Sequence, residues 1–418
     1  MVTAEREIIV PRSRDYRDLT SFPERAKTHM VLATDVEGPL FLGDFIDEAM
    51  DKMVKPAEAG DSKDDALNAM VRQVEAIDVA PSYGKILYAQ TWQWFNDATK
   101  KQRGINPYSN SSISQEGEDT LFTIPLFLAC GVTQSHLDNM TLRSKPTPGS
   151  YELVKALEAQ GILVVGITTA PQDPIRKLVA QTGLLDPKQI IGSPFPLDEM
   201  KNLLEEAGLY DKEIKMTKDY LEECFDIIDE HSDMTCDRGR ARRDLSEEGK
   251  EILRNRIAKF HDQQLGINYE IGRRANTRNI SGMGSVIEAS RIVGDRGKRA
   301  VAQQLARRYL NPTGVLVTEG DGLNDSLMLQ NAPYSIGLNG PDAALAAKIG
   351  VITEDRRDEL AIFEAIASGE TNIDRIVQYA QSKASSGTII HKAGPGTDPS
   401  LLGRHAAMKQ RLRGSIVY

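Results

Sequence analysis

The chain has 418 residues, 40% of them hydrophobic and 27% charged, with a formal net charge of −9. That is the composition of a soluble globular protein of two or three domains, and its acidic balance argues against a general nucleic-acid-binding surface. Only three cysteines occur, Cys130, Cys224 and Cys236, scattered and without a CxxC pair, which excludes a disulfide framework or a zinc ribbon and fits a reducing cytoplasm.

The N-terminal extension, 1–28, alternates charged residues with short apolar pieces and lacks the apolar core of a secretory signal. His29–Thr34 reads as a short apolar strand, and Asp35-Val36-Glu37-Gly38-Pro39 follows it. The segment Leu40–Ser144 is helix-like in Phe45–Met53 and Ala66–Ile77 and polar over Asn106–Glu118. Its aromatic cluster of Tyr83, Tyr88, Trp92, Trp94 and Phe95 is expected in a core first, with Trp92 and Trp94 as candidates for substrate specificity. Its longest apolar stretch, Leu121–Val132, is interrupted by Thr123 and Pro125 and is too short to span a bilayer, so no membrane insertion is expected.

After the rigid Lys145–Ser150 lead-in, Tyr151, Val154 and Leu157 mark a helix that Gly161 ends. Ile162–Val165 and Ile167 form a strand running to Thr168-Thr169, and a helix over Asp173–Gln181 stops near Gly183. Strand, helix, strand, helix in this order predicts a parallel α/β sheet. Residues 196–293 are polar, with helical patterning and a set of arginines (Arg238, Arg240, Arg242, Arg243, Arg273, Arg274, Arg278) that suit a solvated face or an anionic substrate group. Gly297-Lys298 opens a helix whose Val301, Leu305 and Tyr309 share a face. Val315–Val317 is a buried strand leading into Glu319-Gly320-Asp321-Gly322-Leu323-Asn324-Asp325, and Ser335–Leu338 and Val351–Ile352 are two further strands. From residue 383 the chain is basic and rich in Gly, Ser and Pro, suited to flexibility or to docking on a partner.

Asp35 and Glu37, Thr168, Lys298, and Asp321 with Asp325 each stand at a strand end or a helix start. In open parallel sheets, sites collect beyond the carboxyl ends of strands, so these residues can converge. Their chemistry is complementary. One carboxylate can attack phosphorus and form an aspartyl-phosphate, and a second can protonate the leaving oxygen and then activate water. A hydroxyl and an ammonium can hold phosphoryl oxygens. Clustered carboxylates suit a hard cation such as Mg²⁺, although an Asp/Asn/Gly-rich turn after a strand has the same composition.

Asp35-Val36-Glu37-Gly38, Thr168, Lys298 and Gly320-Asp321-Gly322-Leu323-Asn324-Asp325 resemble the four motifs of the haloacid dehalogenase superfamily of phosphohydrolases. The stretch Lys298–Thr353 is similar to the C-terminal core of its phosphoserine-phosphatase-like and sugar-phosphatase-like members. The resemblance implies an α/β Rossmann-like core over 29–41, 145–195 and 294–382. It also implies a first, mainly helical cap insert at 42–144, a second at 196–293, and a basic tail at 383–418. By the same resemblance Asp35 is the nucleophile and a Mg²⁺ ligand. Glu37 is the general acid/base, with its backbone carbonyl on the metal. Asp321 and Asp325 are metal ligands, and Lys298 neutralises charge. Thr168 binds the phosphoryl group, with Thr169 as the alternative one register on, and Asn324 orients its neighbours. The expected substrate is a small phosphorylated metabolite.

Two positions depart from the usual pattern: Glu37 stands where Asp is common, and Pro39 where Thr is common. An Asp-x-Glu-Gly-Pro opening also resembles an archaeal branch with members labelled as hydrogenase-associated subunits. Phosphoryl transfer to another acceptor, or a non-catalytic subunit in a larger assembly, is therefore the alternative to hydrolysis, with the oligomeric state and any protein partner open.

Overall fold

In the computed structural model the described residues are 26–45, 49–50, 83–103, 115–237, 240–267, 280–290 and 292–413. Residues 1–25, the expected helix over Ala66–Ile77, most of the Asn106–Glu118 loop, and Arg238, Arg273, Arg274 and Arg278 lie outside them.

The described strands are β1 (Thr28–Asp35), β2 (Leu163–Pro171), β3 (Ile190–Ser193), β4 (Ser232–Asp237), β5 (Arg240–Leu245), β6 (Leu310–Gly320), β7 (Tyr334–Leu338), β8 (Ile349–Ile352) and β9 (Ile389–Lys392). Seven of them form one sheet in the order β3-β2-β1-β6-β7-β8-β9, while β4 and β5 make a separate antiparallel hairpin. Pairing in the main sheet is parallel from β3 to β8, and β9 alone runs antiparallel at the edge. This is the mixed α/β architecture that the alternation of strand and helix predicts. β1 is central and buried along most of its length, which is why Met30–Ala33 is apolar at consecutive positions rather than alternate ones.

The helices that bear on the site are α1 (Tyr83–Arg103), α2 (Thr123–Ala129), α3 (Ser150–Ala159), α4 (Gln172–Thr182), α5 (Tyr210–Glu230), α6 (Glu247–Lys259), α7 (Asp295–Tyr309) and α8 (Pro399–Arg413). On one side of the sheet Val301, Leu305 and Tyr309 of α7 pack against Val31, Ala33, Val165 and Ile167. On the other side Leu153, Val154 and Leu157 of α3 join Leu32, Val164 and Phe363. Each such fully buried aliphatic or aromatic side chain stabilises the fold by roughly 1.5–3 kcal/mol, so these two layers fix the strand ends firmly.

The segments between the core strands pack on each other as well as on the core. Tyr83 of α1 lies 5.0 Å, centroid to centroid, from Phe225 of α5, and its hydroxyl donates to Asp229 at 2.5 Å. Phe95, Phe127, Tyr220, Leu253 and Phe260 belong to the same apolar cluster. Among the described residues no single helix is long and apolar enough to cross a membrane.

The C-terminal end differs from the reading of 383–418 as a tail. Ile389–Lys392 pairs with β8 and extends the sheet, and 399–413 is a helix. Four residues between Gly387 and Gly394 are too few for a periodic signal, and the sheet edge supplies the pairing that makes them a strand. α8 is held by His405, fully buried on it, whose Nε2 lies 2.9 Å from Nε2 of His391 in β9.

Candidate active site

β1, β2 and β6 are adjacent and parallel, so their carboxyl ends meet on one edge of the sheet. Asp35 ends β1 and is buried. It accepts a hydrogen bond from the Val36 N–H at 2.8 Å and pairs with the Lys298 ammonium at 2.8 Å. The same ammonium lies 2.8 Å from Asp325 and is itself fully buried. Lys298 belongs to the first turn of α7, where a cation opposes the helix dipole by roughly 0.3–1 kcal/mol. Two carboxylates within hydrogen-bond distance offset that cost many times over. Burial works to lower the Lys298 pKa, but Asp325 and then Asp35 outweigh it and hold the group charged.

Asp325 is fixed from its other oxygen, which accepts the backbone N–H groups of Asp321 and Gly322 at 3.0 Å each. The turn closes this tightly because a side chain at Gly320 would run into the Asp325 carboxylate. Gly38 answers the same need on the opposite loop: its φ is +102°, and a Cβ there would collide with the Asp321 carboxylate. Asp35, Asp321 and Asp325 each present an oxygen within 4.8 Å of the others. Three hard oxygen donors at this spacing fit a divalent cation such as Mg²⁺. Burial first, then Asp325, pushes the Asp35 carboxyl well above the usual carboxylate range, with Lys298 pulling the other way. This carboxyl therefore favours its charged form only with more positive charge nearby.

Glu37 stands apart from the three. One of its oxygens accepts the Phe45 N–H at 2.6 Å, and the other lies 3.4 Å from the Thr168 hydroxyl. Burial and then Asp44 push its pKa up to about 8. A carboxyl that keeps its proton near neutrality is suited to donating it.

The two threonines of β2 face different ways. Asp35 is in register with Ile167, so Thr169, two residues on, shares its side of the sheet. Thr169 lines the cavity in front of Asp35, donates its hydroxyl to the Val293 carbonyl at 3.0 Å and accepts the Asn324 amide at 3.0 Å. Thr168 is fully buried below it, and its hydroxyl accepts the Ala170 N–H at 3.0 Å. The sequence reading puts Thr168 first; the cavity-facing hydroxyl is that of Thr169.

The cavity has a volume of about 340 Å³ and is bounded on the core side by Asp35, Glu37, Asp321 and Asn324. Its opposite wall comes from the segment between β1 and β2. Trp92 and Tyr88 of α1 reach it, with the Tyr88 hydroxyl on Asp119 at 2.5 Å. The 115–117 segment docks on the start of α7: the Glu116 carbonyl accepts the Asp295 N–H at 3.1 Å and the Gln115 side chain accepts the Gly297 N–H at 3.2 Å. Both are N–H groups of the first turn, which have no partner inside a helix. This segment is thus anchored beside Lys298. Of the arginines in 196–293, Arg243 is committed elsewhere, to Asp229 at 2.9 Å and over the Tyr83 ring.

Two site residues escape the sequence reading. Lys409 and Arg413, one turn apart on α8, reach Asp321 at 3.1 and 2.8 Å and line the same cavity. Lys409 also donates to the Asp321 backbone carbonyl at 3.0 Å. Arg413 donates to the Leu42 and Gly43 carbonyls at 3.2 Å each and faces Asp44 at 3.4 Å. Burial works to raise the Asp321 pKa, but Lys409 and then Arg413 overcome it and hold the carboxylate ionised. The sequence signal for both was the excess of Lys and Arg after residue 383.

The fold resembles that of gene product AF1437 from Archaeoglobus fulgidus, with a TM-score of 0.62 at 15% identity, over 93% of this chain and 97% of that one. The structure described as a phospho-aspartyl intermediate analogue of phosphoserine phosphatase aligns at a TM-score of 0.36 and 13% identity, over 81% of this chain and 98% of that one. No family model and no curated protein matches the sequence.

Proposed function

We propose that the protein is a Mg²⁺-dependent phosphohydrolase of the haloacid dehalogenase type acting on a small phosphorylated metabolite. The observation that carries this reading is the buried chain Asp35–Lys298–Asp325, joined by Asp321 at the mouth of a cavity beyond the sheet's carboxyl edge. The four sequence motifs agree with it. The cavity volume of about 340 Å³ suits a small molecule rather than a polymer.

Asp35, Asp321 and Asp325 would hold the metal, which when bound supplies positive charge that relieves the repulsion between an anionic nucleophile and an anionic phosphate. The Asp35 carboxylate attacks phosphorus and is phosphorylated as the substrate's ester oxygen departs. Glu37, protonated near neutrality, gives its proton to that oxygen and afterwards takes one from the water that cleaves the acyl phosphate, which regenerates Asp35. Lys298 neutralises charge through Asp35 and Asp325, and the Thr169 hydroxyl would meet a phosphoryl oxygen by turning its proton away from the Val293 carbonyl, with Asn324 keeping Thr169 in place. Trp92, Tyr88 and Asp119 of the first insert face the part of the substrate that leaves.

The test is phosphate release from a panel of phosphorylated sugars, amino acids and alcohols, with Mg²⁺ and with chelator. Release with Mg²⁺ that chelator abolishes supports the reading. An inert panel, together with a stable co-purifying protein, would favour the non-catalytic subunit.

A further inference from the structure

Within the acidic set Asp321 is the carboxylate paired with two cations, and both come from outside the four motifs. Counted in the fully ionised form in which they would hold a cation, Asp35, Asp321 and Asp325 present three negative charges, and Lys298, Lys409 and Arg413 stand against them at 2.8 to 3.1 Å. Two of the three positive charges belong to α8. Without α8 the set would carry −2, and one divalent cation would neutralise it. With α8 in place the set is already neutral, and a divalent cation drives it to +2, or to +1 when Asp44 is counted against Arg413. Either value is opposite in sign to a phosphoryl dianion.

Resting on the phosphohydrolase reading, we propose that Lys409 and Arg413 of α8 make metal binding and anion binding depend on each other. They disfavour a divalent cation on its own and create the positive charge that an anion then meets. Three observations support a built arrangement over a loose surface contact. Both side chains are largely buried. Lys409 holds Asp321 through both carboxylate and carbonyl. Arg413 spans from Asp321 to the Leu42 and Gly43 carbonyls, bridging the metal-binding turn to the loop that follows Glu37. α8 is itself seated on the sheet through the His405–His391 contact, so its position is set independently of Asp321. Unit charges about 4 Å apart interact strongly at protein dielectric values, far above thermal energy, so two such groups are enough to shift a divalent equilibrium.

The experiment is isothermal titration calorimetry of Mg²⁺ into the full chain, alone and with saturating orthophosphate. It compares the wild type with Lys409→Met/Arg413→Met. The wild type should bind Mg²⁺ at least about tenfold more tightly with orthophosphate present, and orthophosphate more tightly with Mg²⁺ by the same factor. The double variant should bind Mg²⁺ alone about tenfold more tightly than the wild type and lose most of that mutual enhancement. Lys409→Arg, which keeps the charge, should restore wild-type coupling in the single-site comparison. Should the double variant not fold, Lys409→Met alone leaves the Arg413 carbonyl contacts intact and should shift both affinities the same way by less. Equal Mg²⁺ affinity in variant and wild type, with the enhancement intact, overturns the role of α8 and leaves the phosphohydrolase reading standing. No Mg²⁺ binding by either protein overturns both.

Discussion

Glu319 and Asp321 stand two residues apart at the end of β6, both buried carboxylates paired with cations from later in the chain. Glu319 accepts the Thr34 hydroxyl at 2.7 Å and a two-oxygen contact from Arg356, which is shared with Glu359. Arg356 also donates to the Pro39 carbonyl at 3.0 Å. Every group in that set faces protein. Asp321 faces a cavity, and its partners sit on one helix at the edge of the fold. The chemistry of the two sets is the same, and enclosure separates their roles. A sealed ion cluster can only hold loops in place, whereas one that opens onto a cavity can exchange its cations. The sealed cluster still serves the open one, because Arg356 fixes Pro39 and thereby the loop carrying Glu37 and Gly38.

The largest effect that can test this contrast is in the open set. Asp35→Asn should lower phosphate release by about 10³-fold or more with only a small shift of the unfolding midpoint, since it removes the proposed nucleophile while Lys298 keeps Asp325 as its counter-ion. Full activity in that variant would remove Asp35 from the chemistry. In the sealed set the balance should reverse. Arg356→Met leaves Glu319 and Glu359 buried without their cation and should cost about 3–5 kcal/mol in chemical denaturation. A loss under about 1 kcal/mol would mean that the cluster is not sealed.

Glu37 sits between the two sets, and Glu37→Gln should lower turnover of alkyl phosphates by about 10²-fold or more. Aryl phosphates, with better leaving groups, should suffer much less, and equal losses would take Glu37 out of proton donation. The smallest effect concerns the seat of α8. Burial, with His391 beside it, pulls the His405 pKa down to about 4 from an ordinary 6.5, and burial alone takes His261 to about 3. Both groups are neutral in the fold and take up a proton more readily when unfolded. Their stabilisation is therefore present above pH 6.5 and is lost as pH falls toward 4. Thermal unfolding between pH 7 and 4 should show a loss on the order of 2 kcal/mol from His405, blunted in His405→Phe. Identical pH profiles in the two proteins would refute it.

Much of the core was readable because its signals are local. Apolar runs before Asp35, Thr168 and Gly320 mark strands, and each polar motif follows at the strand end where a parallel sheet exposes it. What the sequence hides depends on register and on distance. Thr168 and Thr169 are chemically identical, and only the pairing of Asp35 with Ile167 decides which one meets the cavity. β3 and β9 are four residues each and carry no period of their own. Lys409 and Arg413 were visible as charge but not as partners, because nothing in a basic helix says which carboxylate it meets. Trp92, for which a core is the first expectation and a substrate-facing role the second, lines the cavity.

The bond from Arg413 to the Leu42 carbonyl joins positions 371 residues apart. Contacts of such separation form only after the intervening chain has closed, and long-range closure slows folding. The sheet can be complete from β3 to β8 while α8 is still undocked. Such an intermediate has a native-like core and Asp35 in place, yet it lacks two of the three cations opposite the acidic set. Recovery of metal-dependent phosphate release during refolding should therefore lag behind recovery of the sheet signal, with the docking of residues 399–413 as the step between them.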